Sequence, residues 1–326
     1  MHTETKKVVD YLKDPHLSRK TKEFLKVLNA APKPVESLPV PEARKVLVDA
    51  QASVKVDLSG IEESEKTITA EGYTIKLNIV RPQGAKGKLP VFMFIHGGGW
   101  VLGDYPTHKR LVRDLVVESG FASVFVNYTP SPDAKFPQAV EEVYAATKWV
   151  AEHGSEINVD GSRLAIVGNS AGGNMSVVTS LKAKENKGPE IKVQVLLWPV
   201  TDAGMDYESF RLFGEQRFLT TSLLKWMAGL YISKPEDAKS IYLSPLLASV
   251  EQLRGLPPTL IEVAENDVLR DEGEAFGRKL DEAGVDVTTV RFNNAIHDWG
   301  MLNGLADTPE TKAMIMLSAA TLKKYL

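Results

Sequence analysis

Short, largely apolar runs alternate with longer stretches of helical periodicity through most of this 326-residue chain. The runs are Val91–Ile95, Ala122–Val126, Leu164–Val167, Val193–Trp198, Leu260–Val263 and Val285–Phe292. Helices are predicted between them, near residues 106–119, 137–153, 171–185 and 271–283. A strand without polar alternation is buried on both faces. The pattern therefore predicts an α/β fold in which a mostly parallel central sheet is flanked by helices.

Other parts of the chain do not follow this alternation of apolar runs and helical segments. Apolar side chains recur at helical spacing in residues 1–50, namely Leu17, Phe24, Leu25 and Leu28. The segment Glu65–Pro82 alternates apolar and polar residues around Glu71-Gly72, which predicts a β-hairpin. The aromatic-rich stretch 203–236 interrupts the strand–helix pattern and predicts an inserted helical element.

Composition excludes several classes of protein. The chain contains no cysteine, which rules out a disulfide scaffold, a cysteine-ligated zinc site, an iron–sulfur cluster and a thiol nucleophile. A net charge of -3 argues against a nucleic-acid partner, which normally leaves a basic footprint. No unbroken apolar run exceeds the five residues of Val91–Ile95, whereas a membrane span needs about 20. The stretch Met1–His16 lacks the apolar core of a secretory signal, so we expect a cytoplasmic protein.

The sharpest local feature is a G-x-S-x-G motif, Gly168-Asn-Ser170-Ala-Gly172, placed directly after a predicted strand and before a predicted helix. Flanking glycines permit a tight strand–turn–helix that exposes the serine hydroxyl. The helix that follows points its N-terminus at the site, which favours a developing anion. A glycine-rich turn with an incidental serine is the alternative, but the strand–turn–helix setting favours a nucleophile at Ser170.

A second glycine-rich loop, Gly97-Gly98-Gly99, follows His96 at another strand end. Consecutive glycines let the backbone approach a ligand closely. Together with the N–H group of Ala171, such a loop would form an oxyanion hole. A flexible loop or a phosphate-binding loop is the alternative, yet the Lys–Ser/Thr pair and the G-x-G-x-x-G pattern of phosphate loops are absent here.

A serine nucleophile needs a histidine base and an acid that orients it. Of the six histidines only His297 follows Ser170, and it comes just after the last predicted strand. The candidate acids near a strand end are Glu262, Glu265, Asp267 and Asp271. We favour Asp267, which lies in the loop leaving its strand; Asp271 is the fallback, because it is better placed to begin the next helix.

The chain order Ser…Asp…His matches the α/β-hydrolase plan. The chain resembles the hormone-sensitive-lipase family of carboxylesterases, also called the bacterial family IV esterases. The matching segments are His96-Gly-Gly-Gly-Trp100, Gly168-Asn-Ser-Ala-Gly-Gly173, Asp267-Val-Leu-Arg-Asp-Glu-Gly273, His297 and the region from Asn127 to Glu141. The resemblance covers the chain from about residue 60 to its end.

This resemblance implies a role for each site residue. Ser170 would be the nucleophile, His297 the general base and then acid, and Asp267 the residue that orients His297. Gly98, Gly99 and Ala171 would supply the oxyanion-hole N–H groups, while His96 would orient the glycine loop. The side chains expected to contact substrate are Trp100, Tyr128, Asn169 and Phe210. Asn169 departs from the family, which more usually has an acidic residue before the serine.

The resemblance also implies a domain organisation. Residues 1–55 would form the N-terminal helical part of a cap, and residues 56–326 an α/β-hydrolase domain with a cap insertion at about 203–236. The aromatic side chains of this insertion would line a substrate pocket or, as we favour, pack between cap helices. Homodimerisation through an edge strand such as Val285–Phe292 is common in similar proteins, although nothing in the sequence requires it.

The sequence thus predicts a serine carboxylesterase that hydrolyses small esters with short to medium acyl chains through an acyl-enzyme. No metal or cofactor is needed for this chemistry. Hydrolysis of amides or formamides, as in arylformamidases, would use the same residues and stays open. A non-catalytic hydrolase-fold binding protein is a third reading, disfavoured because the serine, acid and histidine are all present.

Overall fold

The computed structural model describes residues 10–326, and its centre is a sheet of eight strands. The strands lie in the order β1-β2-β4-β3-β5-β6-β7-β8. They are β1 (Ile61–Ala70), β2 (Tyr73–Pro82), β3 (Leu89–Ile95), β4 (Ala122–Asn127), β5 (Val159–Asn169), β6 (Gln194–Leu197), β7 (Thr259–Asn266) and β8 (Val287–Ile296). Strand β2 pairs antiparallel with β1 and β4, whereas all other neighbours are parallel. The predicted mostly parallel α/β sheet is confirmed.

The β1–β2 hairpin turns at Glu71 and Gly72, as the alternating segment predicted. Ala70 pairs with Tyr73 across a two-residue loop, and both loop residues have positive φ, 49° at Glu71 and 85° at Gly72. Such a turn matches the right-handed twist of the strands it joins. The hairpin adds two antiparallel strands to one edge of the sheet and leaves the carboxyl ends of the parallel strands free.

Ten α-helices lie in the described residues. They are α1 (Arg19–Leu28), α2 (Val40–Ala52), α3 (Tyr105–Ser119), α4 (Gln138–His153), α5 (Ala171–Glu185), α6 (Glu208–Phe213), α7 (Thr221–Tyr231), α8 (Val250–Leu253), α9 (Arg270–Glu282) and α10 (Pro309–Tyr325). Helices α3 and α10 pack together on one face of the sheet, and α4, α5 and α9 cover the other. The helices predicted after the first, second, third and fifth apolar runs all form, as α3, α4, α5 and α9.

Alternation along β7 shows how the two faces are filled. Ile261 and Val263 pack with Phe276 of α9, whereas the intervening Glu262 reaches Ser318 of α10. Both faces of this strand are buried. A strand covered by helices on both sides needs no polar alternation, which explains the largely apolar runs in the sequence.

Helix α3 illustrates how local sequence sets the element boundaries. Asp104 caps its start by accepting a hydrogen bond from the Thr107 N–H at 2.9 Å, and the Thr107 hydroxyl lies 2.9 Å from the Asp104 N–H. This reciprocal capping box satisfies two backbone donors that the helix leaves free. The helix ends at Gly120, which adopts a left-handed conformation.

Four helices from two distant parts of the sequence, α1, α2, α6 and α7, lie outside the sheet–helix layers. Contacts join the two parts: Arg217 forms a buried ion pair with Asp14 at 2.5 Å, and the Ser222 hydroxyl donates to Glu36 at 2.5 Å. The Gln51 side chain ties α2 to the layers beneath by donating to the Thr107 and Met301 carbonyls at 2.7 and 2.9 Å. These four helices are called the cap helices below.

Several strand boundaries differ from the sequence prediction, including both ends of β8. The run Val285–Phe292 begins too early and ends too early, since β8 spans Val287–Ile296. Its polar residues Asn293 and Asn294 hid the extension that brings the strand to the residue before His297. Among the described residues, no helix is both long and apolar enough to cross a membrane. Residues 1–9, which include part of the N-terminal stretch considered above, lie outside the described residues.

Candidate active site

Ser170 sits on the turn between β5 and α5 with a positive φ of 54°. Positive φ is strained for a side chain other than glycine and is maintained only where the surroundings enforce it. The surroundings here are tightly packed, because a Cβ atom on Gly172 would collide with the Ile95 carbonyl oxygen. The glycines of the motif therefore let α5 pack against β3 while the turn presents the serine hydroxyl at the sheet edge.

Three side chains from three strand ends form one hydrogen-bonded chain. The Nε2 atom of His297 lies 3.0 Å from the Ser170 Oγ atom, and its Nδ1 atom lies 2.7 Å from Asp267 Oδ2. All three residues are buried. Asp267 follows β7 and His297 follows β8, so parallel pairing of these strands brings the acid beside the base.

Electrostatics favour a base at His297. Burial acts to lower the pKa of His297, but the carboxylates of Asp267 and Asp298 oppose it, and the pKa lies above its ordinary value. A carboxylate on Nδ1 also holds the imidazole so that Nε2 faces the serine. The geometry thus allows Ser170 to lose its proton to His297 while Asp267 stabilises the imidazolium.

The fallback acid, Asp271, has a different environment. It lies in the first turn of α9, where its carboxylate accepts hydrogen bonds from the Ser209 N–H at 2.8 Å and from Arg270 at 2.8 Å. Ser209 belongs to α6, so Asp271 anchors a cap helix. The structure brings Asp267, and not Asp271, to His297.

The glycine loop lies beside the serine. Gly98, Gly99 and Ser170 line the same cavity, and both glycines have positive φ, 98° and 60°. The Gly97 N–H donates to the Asn169 side chain at 2.9 Å, which ties the loop to the elbow. Ala171 is the first residue of α5, where a backbone N–H has no partner within the helix. The glycine loop and the first turn of α5 therefore lie on either side of the Ser170 elbow.

His96 lies beneath the glycine loop rather than in the cavity. Its Nδ1 atom is 2.8 Å from the Gly97 carbonyl oxygen, and its ring stacks on Tyr128 at 4.2 Å between centroids. Burial lowers the pKa of His96 to about 4, so the ring is neutral at pH 7. The Tyr128 hydroxyl donates to the His96 carbonyl at 3.0 Å, which holds Tyr128 below the loop as well.

A second carboxylate, which sequence reasoning missed, lies next to His297. Asp298 is buried with φ 61°, and its Oδ1 atom accepts from Asn169 at 2.9 Å and from the Trp198 indole at 2.6 Å. Its Oδ2 atom lies 3.8 Å from His297 Nε2. The one available signal was Asn169 itself: an acidic residue there would face Asp298 at hydrogen-bonding distance.

An apolar cavity of about 380 Å³ opens from the serine. Besides Gly98, Gly99, Ser170, His297 and Asp298, the cap helices supply most of its wall. Their apolar contributions are Phe24, Val27, Leu28, Ala43, Val46, Leu47, Leu223 and Met227. No Lys or Arg is among the described residues that line the cavity, and residues 10–326 hold no cluster of His, Asp and Glu placed to bind a metal ion.

The four side chains expected to contact substrate lie behind the cavity wall instead. Trp100 turns away from the loop at φ 61° and stacks on Tyr231 at 4.5 Å. Tyr128 supports His96, and Asn169 joins Gly97 to Asp298. Phe210 is buried near Tyr207 at 6.4 Å between centroids. Phe218 is the aromatic residue of the 203–236 stretch that lines the cavity. The other aromatic residues of this stretch pack against the apolar core.

The fold and the site together define an α/β-hydrolase. The sheet is mostly parallel, and helices lie over its carboxyl edge. A serine occupies a strand–helix elbow, and a histidine and an acid follow two further strand ends.

Comparison with known proteins agrees with this class. Residues 92–301 match a family described as having an alpha/beta hydrolase fold. The chain is 32% identical to carboxylesterase NlhH of Mycobacterium tuberculosis, over 80% of this chain and 82% of that protein. It is 28% identical to an ethyl acetate hydrolase of Pseudomonas putida, over 88% and 91%. The crystal structure of a thermostable esterase from Pseudomonas putida superposes with a TM-score of 0.95 at 55% identity, covering 96% and 98% of the two chains. The chain therefore belongs to this α/β-hydrolase family, and it is a carboxylesterase.

Proposed function

We propose that this carboxylesterase hydrolyses small, mainly apolar esters of short to medium acyl chains, with Ser170, His297 and Asp267 as its catalytic residues. One observation carries the proposal: the hydrogen-bonded chain from Asp267 through His297 to Ser170 opens directly onto an apolar cavity. The ethyl acetate hydrolase to which the chain is similar acts, by its name, on an ester of acetic acid.

Each group has a defined step in the reaction. Ser170 Oγ attacks the ester carbonyl carbon as its proton moves to His297 Nε2, and the alcohol leaves after taking that proton. Water then attacks the acyl-serine, gives a proton to His297, and the acid departs as the proton returns to Ser170. Asp267 holds His297 in the tautomer this relay needs and stabilises its charged form.

The negative charge on the carbonyl oxygen needs donors during both halves of the reaction. The backbone N–H groups of Gly98, Gly99 and Ala171 are proposed to supply them. Loss of one such donor typically costs about 2.7–4 kcal/mol of transition-state stabilisation. The N-terminus of α5 adds a favourable dipole for the same charge.

Hydrolysis of 4-nitrophenyl esters tests the proposal, with labelling by an organophosphonate read out by mass spectrometry. We expect the acetate and butanoate esters to be turned over and Ser170 to carry the label. Ser170→Ala should remove both the label and all but a trace of the activity. Asp267→Ala should lose several orders of magnitude in kcat, in the range known for the acid of such triads.

Asp271→Ala is the matched control, because this carboxylate lies on the same loop-to-helix segment but faces Ser209. It should retain most of the activity. Equal turnover by wild type and Ser170→Ala would contradict the assignment of the nucleophile, and a larger loss in Asp271→Ala than in Asp267→Ala would contradict that of the acid.

A further inference from the structure

The wall of the substrate cavity is unevenly exposed. Leu219 and Met227 line it and are buried, with 4% and 3% of their surfaces exposed. Val27 and Val46 line the same cavity but are 78% and 40% exposed. The cavity is therefore closed where Leu219 and Met227 line it and open to solvent where Val27 and Val46 line it.

Met227 of α7 forms the part of the closed wall nearest the oxyanion glycines. A Cβ atom placed on Gly99 would lie 2.6 Å from Met227 Cε and 2.9 Å from Met227 Cβ, and it would overlap the sulfur. The methionine side chain therefore lies along Gly99 over its whole length. Met227 is one turn below Leu223, which lines the same cavity, so α7 presents a continuous apolar ridge there.

Stereochemistry decides which side of the ester meets this ridge. The carbonyl oxygen must face the glycine loop, and the leaving oxygen must lie within reach of His297 Nε2, which protonates it. The chain that follows His297 supplies Leu302 and Gly304 to the cavity, and a Cβ on Gly304 would lie 2.9 Å from the Phe24 ring of α1. Helix α1, with the exposed Val27, therefore lies on the side of the cavity next to the chain that follows His297.

We propose that Met227 sets the length of acyl chain that the enzyme accepts, while the alcohol group runs between α1 and α2 to the open end. This inference rests on the proposed function and refines it. The substrates it defines are esters that join a short acyl group to a larger, mainly apolar alcohol.

Two series of esters test the acyl side and the alcohol side of the substrate independently. The acyl series varies the acid of 4-nitrophenyl esters from acetate through butanoate to hexanoate, and the alcohol series varies the alcohol of acetates from ethyl through butyl to hexyl. Met227→Ala should raise kcat/KM for the hexanoate relative to the acetate by about tenfold or more, because one methylene in an apolar pocket is worth at least that factor. Ratios within the alcohol series should stay within about twofold, since their contacts lie at the other end.

Met227→Phe tests the opposite direction and does not depend on the truncated variant folding. It should lower kcat/KM for the butanoate relative to the acetate by about tenfold, again leaving the alcohol series unchanged. Met316→Ala is the matched control, because this methionine is 61% exposed on α10 and outside the cavity. Val46→Phe at the open end should alter the alcohol series and spare the acyl series.

Acyl ratios that stay at wild-type values in both Met227 variants would overturn the inference, as would an effect of these variants on the alcohol series alone. Both results presuppose that the wild type hydrolyses the esters. Absence of turnover by the wild type in either series would instead contradict the proposed function, so the two failures are distinguishable.

Discussion

The imidazole of His297 lies between two carboxylates, one on each nitrogen. Asp267 binds Nδ1 at 2.7 Å, and Asp298 lies 3.8 Å from Nε2. Burial alone would lower the pKa of His297, so the pair of negative charges is what keeps this pKa above its ordinary value. In the proposed mechanism His297 is the general base, which must be neutral to accept a proton, so this pKa would set the acid limb of the activity profile.

Asp298→Asn should move that acid limb to lower pH. The asparagine oxygen can accept the same hydrogen bonds from Asn169 and Trp198, so the change removes charge and leaves the network in place. With the charge of Asp298 gone and burial still acting to lower it, the pKa of His297 falls, and the acid limb moves with it. The measurement is kcat/KM for 4-nitrophenyl acetate between about pH 4 and pH 9.

Asp307→Asn is a suitable control for this change, because that carboxylate is exposed. It should leave the acid limb at its wild-type position. The prediction fails if Asp298→Asn retains its activity and its acid limb does not move. That result would show that the charge of Asp298 does not affect the pKa of His297.

The sequence indicated which side chains meet where a motif fixes the backbone. It did not do so where no motif fixes the backbone. Ser170, Asp267 and His297 follow strand ends, and parallel strands bring such ends together. Trp100 and Tyr128 also follow strand ends, but backbone twist and stacking turn their rings behind the glycine loop. Asp298 could not be paired with Asn169 from sequence, because no known motif links these two positions.

At the scale of elements, the packing of α10 on β7 contains a buried carboxyl group. Glu262 is fully buried in the strand, and the Ser318 hydroxyl donates to it at 3.1 Å. Burial raises the pKa of Glu262 well above its ordinary value, although the Ser318 hydrogen bond acts against this. The group is therefore protonated in the folded protein under conditions in which the unfolded chain would ionise it.

This linkage predicts that Glu262→Gln flattens the decline of stability with pH. A carboxyl group whose pKa is raised by folding contributes its stability fully below its unfolded pKa near 4.5, and the contribution is lost as pH rises through the folded pKa. Within that window the wild type should lose about 1.4 kcal/mol per pH unit from this group. Glutamine is nearly isosteric, can accept from Ser318 and does not ionise.

Urea unfolding at a series of pH values measures the difference. The free energy of unfolding of Glu262→Gln relative to the wild type should increase from about pH 5 upward. Glu274→Gln is the control on α9, where the carboxylate pairs with Arg291 in solvent reach. Parallel pH profiles for the wild type and Glu262→Gln would mean that Glu262 is ionised in the folded protein.

The strands and helices were more predictable from the sequence than the individual contacts between residues. Burial on both faces produced the apolar runs that mark the parallel strands, and caps such as Asp104 and Gly120 delimit the helices. The error at β8 has a physical cause: this strand lies at the sheet edge, where polar residues such as Asn293 and Asn294 are tolerated, so the apolar run ends before the strand does.

At the scale of the whole molecule, the cap helices come from two parts of the sequence that meet over the cavity. Which residues join them could not be read from the sequence, because helical periodicity shows that a face is apolar without showing what covers it. A buried ion pair between Asp14 and Arg217 at 2.5 Å is among the contacts that join them. Arg217 directly precedes Phe218, which lines the cavity.

Asp14→Ala should therefore destabilise the protein by about 3–5 kcal/mol, because it leaves the Arg217 guanidinium buried without its counter-charge. The double variant Asp14→Ala/Arg217→Met should recover much of the loss, since an apolar side chain has no charge to desolvate. Urea unfolding of the wild type, both single variants and the double variant gives the coupling free energy. Arg19→Met, which breaks an exposed ion pair with Glu23 on α1, should cost well under about 1 kcal/mol.

The same four proteins reveal whether the pair also shapes the cavity. If the pair fixes the position of Phe218, Asp14→Ala should lower kcat/KM under conditions in which it is still folded, and the double variant should restore activity together with stability. The double variant could instead lose as much unfolding free energy as the two single variants together. That result would mean that Asp14 and Arg217 stabilise their two segments independently. In that case other contacts, such as apolar packing and the hydrogen bond from Ser222 to Glu36, would hold the two parts of the cap together, and the ion pair would follow from their contact without contributing to it.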